Sequence, residues 1–211
     1  MPEAAARDEP GGDRGARARY AGAVSAASTI YSVGHSTRSL DELLGLLEPH
    51  GVRTLVDVRR HPGSRKYPHF GQEPLREALA ARGIDYVWLE ALGGRRARKD
   101  AGAPAASGPE PNAGLRNASF RRYADYMQTG TFHQAVDELL ELTERGPAAL
   151  LCAEAVFWRC HRRLIADHLL ARGVVVQHIL GPREPRPHPL TPGGVLVPGG
   201  VVYPGGGPDE D

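Results

Sequence analysis

One unit recurs along this chain: an amphipathic helical stretch, a glycine, then a short strand-like run. "SLDELLGLLEPHG" precedes "VRTLVDVR", "PLREALAARG" precedes "IDYVWLEAL", and "TFHQAVDELLELTERG" precedes "AALLCAE". "CHRRLIADHLLARG" then precedes "VVVQHIL". Helices placed between strands act as crossovers, which make neighbouring strands parallel and cover a sheet on both faces. With "TIYSVGH" opening the series, the pattern predicts a single three-layer, Rossmann-like α/β domain with a mainly parallel five-stranded sheet. Local signals agree. Ser39 followed by Glu42 is a capping-box spacing. Leu40, Leu43, Leu44 and Leu47 share one helical face, and Gly51 suits a left-handed stop. Pro74 suits a first helical position, and "SFRRYADYM" reads as a further helix.

Three stretches break the pattern. Residues 1–27 are rich in Ala, Arg, Gly and acidic residues, and residues 95–117 mix charge with Gly, Pro and Ser. From 181 to 211 the chain is dominated by Gly and Pro. Such compositions bury too little apolar surface to offset ordering entropy. They are expected to be a disordered N-terminal tail, a flexible inserted loop and a C-terminal tail around a domain at 28–180. The formal net charge of +1 forces no nucleic-acid or membrane partner. No apolar run has the length of a signal-peptide core or a membrane span. Two cysteines argue against a disulfide scaffold and fit a reducing compartment. A cytoplasmic protein without a membrane partner is expected. Neither G-x-G-x-x-G nor a Walker lysine motif occurs, which disfavours ordinary NAD and P-loop chemistry, and no cofactor is expected.

In sheets of this type, ligands sit beyond the carboxyl ends of the strands. The first strand would bring Gly34, His35, Ser36 and Thr37 to that edge. The second brings Asp57, Arg59, His61, Ser64 and Arg65; the third, Glu90, Gly93 and Gly94. The fourth delivers Cys152, Glu154, Cys160, His161 and Arg162. The opposite edge receives only helix ends. Each piece alone has a structural explanation: a turn at His35, an Asp57–arginine pair, an inert thiol at Cys152, a core histidine at His168. Their convergence on one edge is the functional signal. Cys160, His161 and Arg162 open the last helix, whose N-terminal partial charge favours an anion and lowers a thiol pKa. The candidate acid–base and nucleophilic groups are His35, Asp57, Glu154, Cys160 and His161. The candidate anion-binding groups are Ser36, Arg59, Ser64, Arg65, Gly93, Gly94 and Arg162.

Spacing bears on three named chemistries. Zinc ligation by Cys152, Cys160, His161 and His35 matches no standard zinc pattern, so no metal is expected. A cysteine phosphatase loop needs an arginine six positions after its cysteine, whereas Arg159 stands seven after Cys152. A sulfurtransferase of rhodanese type shares the layout of "LVDVR" and the cysteine strand, but its loop is shorter.

The blocks "YSVGHST", "LVDVRRHPGS", "YVWLEALGG", "RRYADYM" and "LLCAEAVFWRCHRRLIADHLLARGVVVQHI" resemble the DUF488 family, over about residues 29–180. The resemblance implies a small α/β protein with no established reaction. It marks Gly34, His35, Ser36, Asp57, Arg59, Pro62, Ser64, Gly93, Gly94, Tyr123, Cys152, Glu154, Cys160, His161, Arg162 and His178, and so adds Tyr123 to the binding set. "AVFW" departs from the more polar stretch expected before Cys-His-Arg. The expectation is an enzyme acting on a small anionic ligand or nucleic acid, of the phosphate-bearing kind: a nucleotide or a nucleic-acid end. The alternatives are a non-catalytic nucleotide- or nucleic-acid-binding module, and a thiol-dependent sulfurtransferase or redox protein.

Overall fold

The computed structural model describes residues 29–63, 65–97, 100 and 110–205. Five parallel strands form the centre of the sheet: β1 (Ile30–Gly34), β2 (Thr54–Asp57), β3 (Asp85–Trp88), β4 (Ala148–Cys152) and β5 (Val176–Ile179). The helices between them are α1 (Leu40–Leu47), α2 (Gln72–Ala80), α3 (Ala118–Tyr126), α4 (Gly130–Thr143) and α5 (Arg162–Ala171). The strand order is β3-β2-β4-β1-β5, with a sixth, antiparallel strand β6 (Arg186–Pro187) at the β5 edge. The α/β fold expected from the helix–glycine–strand unit is therefore present.

Side-chain alternation along the strands builds two cores. Val33, Leu55, Ala149, Leu151 and Ile179 face α1 and α2, where Leu43, Leu47, Leu75 and Leu79 close over them. Ile30, Val56, Leu150 and Val176 face the other way, against Tyr123, Phe132, Leu139 and Ile165 of α3, α4 and α5. The helix ends obey the local signals. Ser39 and Glu42 form the reciprocal capping box of α1. Gly51 adopts φ 60°, which turns the chain toward β2. Pro74 lies in the first turn of α2, which starts two residues earlier, at Gln72.

The segment beyond Gly181 corrects the sequence expectation up to residue 205. It supplies β6 and then a hairpin, β7 (Val195–Val197) with β8 (Gly200–Val202), packed on α5. A buried polar chain pins it there. Asp167 of α5 accepts from His188 Nε2 at 2.8 Å, from the Thr191 N–H at 2.8 Å and from the Tyr203 hydroxyl at 2.6 Å. His188 Nδ1 in turn lies 2.9 Å from His178 Nε2 on β5. Burial and then the Asp167 charge push the Tyr203 hydroxyl well above the usual phenol range, so it remains a donor. Composition misled because a few residues suffice: Val201 and Tyr203 join the core, Leu190 and Leu196 pack against it, and the partners of Asp167 tie the segment to α5.

The inserted loop is likewise anchored where it is described, at residues 110–117. Asn112 is buried; its side chain donates to Asp125 and accepts from the Tyr203 N–H. Asn117 caps α3. Residues 1–28, 98–99, 101–109 and 206–211 lie outside the described residues, and with them the expected N-terminal tail and the middle of the inserted loop.

The Asp167 cluster yields a stability prediction. Tyr203→Phe removes one hydrogen bond to a buried carboxylate and leaves the ring in place. The unfolding free energy should fall by ~1.5–3 kcal/mol, read from the urea midpoint at constant slope.

Candidate functional site

The carboxyl ends of β1, β2 and β4 meet because the strands are in register: Gly34 pairs with Cys152, and Asp57 pairs with Leu151. After β4 the chain crosses directly over Gly34. A Cβ at that position would lie 1.8 Å from the Glu154 carbonyl oxygen, so only glycine fits. The crossing carries Ala153 and Glu154 beside the turn that follows β1. The His35 and Ser36 N–H groups donate to the Cys152 and Ala153 carbonyls, each at 2.9 Å. Ser36 takes φ 49°, a conformation that L-residues rarely adopt.

The edge residues divide into two clusters, one over each face of the sheet. Sequence reasoning placed them in a single crevice; the structure gives them one edge but two sides. On the α1–α2 side, Asp57 holds Arg59 in a forked ion pair. Arg59 Nε donates to Oδ1 at 2.9 Å and Nη2 to Oδ2 at 2.5 Å. The Tyr86 hydroxyl adds a donor to Oδ2 at 2.7 Å, and Trp88 Nε1 donates to the Arg59 carbonyl at 2.9 Å.

Arg59 Nη1 lies 3.4 Å from His35 Nε2. Arginine is only a donor, so Nε2 accepts, and Nδ1–H donates to the Ser36 carbonyl at 3.1 Å. Burial, then the Arg59 charge, lower the His35 pKa to about 4, in keeping with a neutral ring stacked on Phe70 at 4.2 Å. Both nitrogens of His35 are thus committed. It positions Arg59 and has no free lone pair with which to move a proton.

A cleft of about 340 Å³ opens above this network, lined by His35, Ser36, Arg59, His61, Tyr67 and Glu154, among others. His61 and Glu154 are exposed. A larger depression, about 520 Å³, lies at the opposite edge beside Thr54 and Asp85, where β2 and β3 begin. It gathers neither a cysteine nor a histidine, so its size carries no chemical argument.

On the α3–α5 side, Cys152, Cys160 and His161 come together. Their donor atoms all lie within 4.8 Å of one another. His161 Nδ1 is 3.6 Å from Cys160 Sγ and 4.0 Å from Cys152 Sγ. His161 Nε2 lies 2.9 Å from the Val58 carbonyl, which only accepts, so Nε2 carries a proton and Nδ1 is the ring nitrogen that faces the sulfurs. Arg162 is 1% exposed. Its guanidinium donates to Cys160 Sγ at 3.4 Å, to the Ser32 hydroxyl at 3.0 Å and to the Glu154 carbonyl at 2.5 Å. For Cys160, burial alone would raise the pKa. The Cys152 thiol, His161 and Arg162 outweigh it, and the thiol falls well below its usual value, while Cys152 rises.

Several expected binding residues have other tasks. The nitrogens of Arg162 point to protein atoms and not into the cleft. Tyr123 is buried, donating to the Leu92 carbonyl at 2.6 Å with its ring against His161. Gly93 and Gly94 permit close packing: a Cβ on Gly93 would lie 2.8 Å from Arg60 Cα, and one on Gly94 would lie 2.7 Å from His161 Nδ1. Arg65 is exposed, outside the residues lining the cleft, and Ser64 lies outside the described residues. Phe157 stacks on His178 at 3.6 Å, while Trp158 is exposed. Sequence reasoning passed over Tyr67, Tyr86 and Trp88. The aromatic residues of "YVWL" were legible as a strand, but nothing in their spacing announced a hydroxyl aimed at Asp57.

Fold and edge together define a three-layer α/β protein with a polar site at the carboxyl ends of its parallel strands. The family described as "Domain of unknown function DUF488" matches residues 39–169. The chain belongs to the DUF488 family. No curated protein and no solved structure matched it. Among the described residues, no helix is long and apolar enough to cross a membrane.

Two measurements test the electrostatics. Asp57→Asn leaves Arg59 buried beside a neutral amide and should destabilise the fold by ~3–5 kcal/mol, measured by chemical denaturation at pH 7. The histidines set an acid limit. His35 and His168 have pKa values lowered to about 4 and His178 to about 3, burial being the first cause in each. Between the unfolded value of about 6.5 and these folded values, only the unfolded chain takes up the protons. Stability should therefore fall as pH drops through that window, by up to ~1.4 kcal/mol per pH unit for each group. His35→Phe should flatten this slope.

Proposed function

We propose that the cleft binds a small anionic, phosphate-bearing ligand, such as a nucleotide or a nucleic-acid end, and that the protein is an enzyme acting on it. The observation that carries this reading is Arg59. Arg59 is among the residues that line the cleft, and its guanidinium is fixed by Asp57 and by His35. A cation held in this way recognises an anion with little further ordering. Ser36 and Thr37 add hydroxyl donors and His61 an exposed imidazole at the rim. In this reading Glu154, also among the lining residues, exchanges a proton with a bound substrate. Anion binding alone gains nothing from a carboxylate there, which favours the enzyme over the plain binding module. Arg162, Tyr123 and the paired glycines support the edge from within and have no part in ligand contact.

A thermal-shift screen tests the reading, with inorganic phosphate, pyrophosphate, mononucleotides and a 5′-phosphorylated oligonucleotide as probes. A ligand present at 100 times its Kd should add ~2.7 kcal/mol of stability. His61→Ala should weaken that shift. Glu154→Gln should keep binding while removing turnover of the probe that binds. The absence of a shift with every anion would overturn the proposal.

A further inference from the structure

The second cluster stands apart from the cleft, over the other face of the sheet, and its geometry is that of a metal-binding triad. We propose that Cys152 Sγ, Cys160 Sγ and His161 Nδ1 bind a thiophilic divalent ion of the zinc class.

The donor positions fit. A tetrahedral zinc with Zn–S near 2.3 Å and Zn–N near 2.0–2.1 Å sets each sulfur about 3.6 Å from the nitrogen. Here the separations are 3.6 Å to Cys160 and 4.0 Å to Cys152. The two sulfurs lie within 4.8 Å of each other, against about 3.8 Å in a tetrahedral site, so a movement of at most about 1 Å completes the triangle. Neither cysteine is in a disulfide.

The surroundings fit as well. A ligating histidine ordinarily gives its other N–H to a carbonyl or carboxylate, which fixes tautomer and ring angle. His161 Nε2 does so with the Val58 carbonyl. The ring is held by Tyr123, 5.0 Å away edge-on, and by Gly94, where any side chain would strike it. Arg162 donates to Cys160 Sγ, an interaction that supports a thiolate. On binding, both thiols deprotonate, their protons leave to solvent, and two thiolates balance a divalent charge. Three protein donors leave a fourth position open, as in sites where zinc takes an exogenous ligand.

The test uses the full-length chain, reduced and freed of metal by chelation, titrated with Co²⁺. The expected result is one equivalent bound, with a thiolate-to-cobalt charge-transfer band, tetrahedral ligand-field bands in the visible, and loss of both on adding Zn²⁺. Zn²⁺ should also slow alkylation of the cysteines at least tenfold. Cys152→Ser with Cys160→Ser should abolish the charge-transfer band. Because those variants can fail to fold, the wild-type spectrum decides. Cobalt bound without a charge-transfer band, or cysteines alkylated equally fast with and without zinc, would overturn the proposal. Neither readout involves an anion in the cleft, so this proposal and the proposed function fail separately.

Discussion

The placement of β4 between β1 and β2 is the constraint on which the carboxyl edge depends. Parallel register sets Gly34 beside Cys152 and Asp57 beside Leu151. The chain leaving β4 must then pass over the end of β1, and glycine at 34 is what lets it through. That passage fixes the Glu154 carbonyl for Arg162 and puts Glu154 among the residues that line the cleft. A side chain at 34 would displace both clusters at once, although they lie over opposite faces of the sheet.

Buried charge gives this edge its rigidity. Asp57, Arg59, Arg162 and Asp167 are all nearly or fully inaccessible to solvent. Such groups contribute little net stability once desolvation is counted, and apolar residues of similar volume would often hold a fold as well. What they add is orientation. Arg59, Arg162, His35 and His161 each hold their polar groups against named partners, so Arg59 and His35 are set at the cleft before any ligand arrives.

Much of this was legible in the sequence, for identifiable reasons. The capping box at Ser39, the left-handed stop at Gly51 and the helix–strand alternation are local signals. Local signals survive into the fold because nothing tertiary opposes them. The rule that ligands gather at the carboxyl edge brought His35, Asp57, Arg59, Glu154 and Cys160 to notice. The strands beyond Gly181 were not legible, because the partners that order them, Asp167 and His178, stand earlier in the chain. Nor was the division into two clusters. It depends on whether a side chain points up or down at a strand end, and irregular residues such as those from 153 to 161 lose that parity. Spacing did not reveal how close Cys152 and Cys160 come for the same reason: it measures separation along the chain, whereas these two residues, eight apart, are brought together by the loop that leads from β4 to α5.

The most direct test of the whole arrangement is a crystal structure of the protein grown with a heavy oxyanion such as tungstate. The account predicts an anion within hydrogen-bonding distance of Arg59 and beside His61, with His35 still bridging Arg59 and the Ser36 carbonyl. An anion bound only elsewhere, or an Arg59 released from Asp57 and His35, would contradict it.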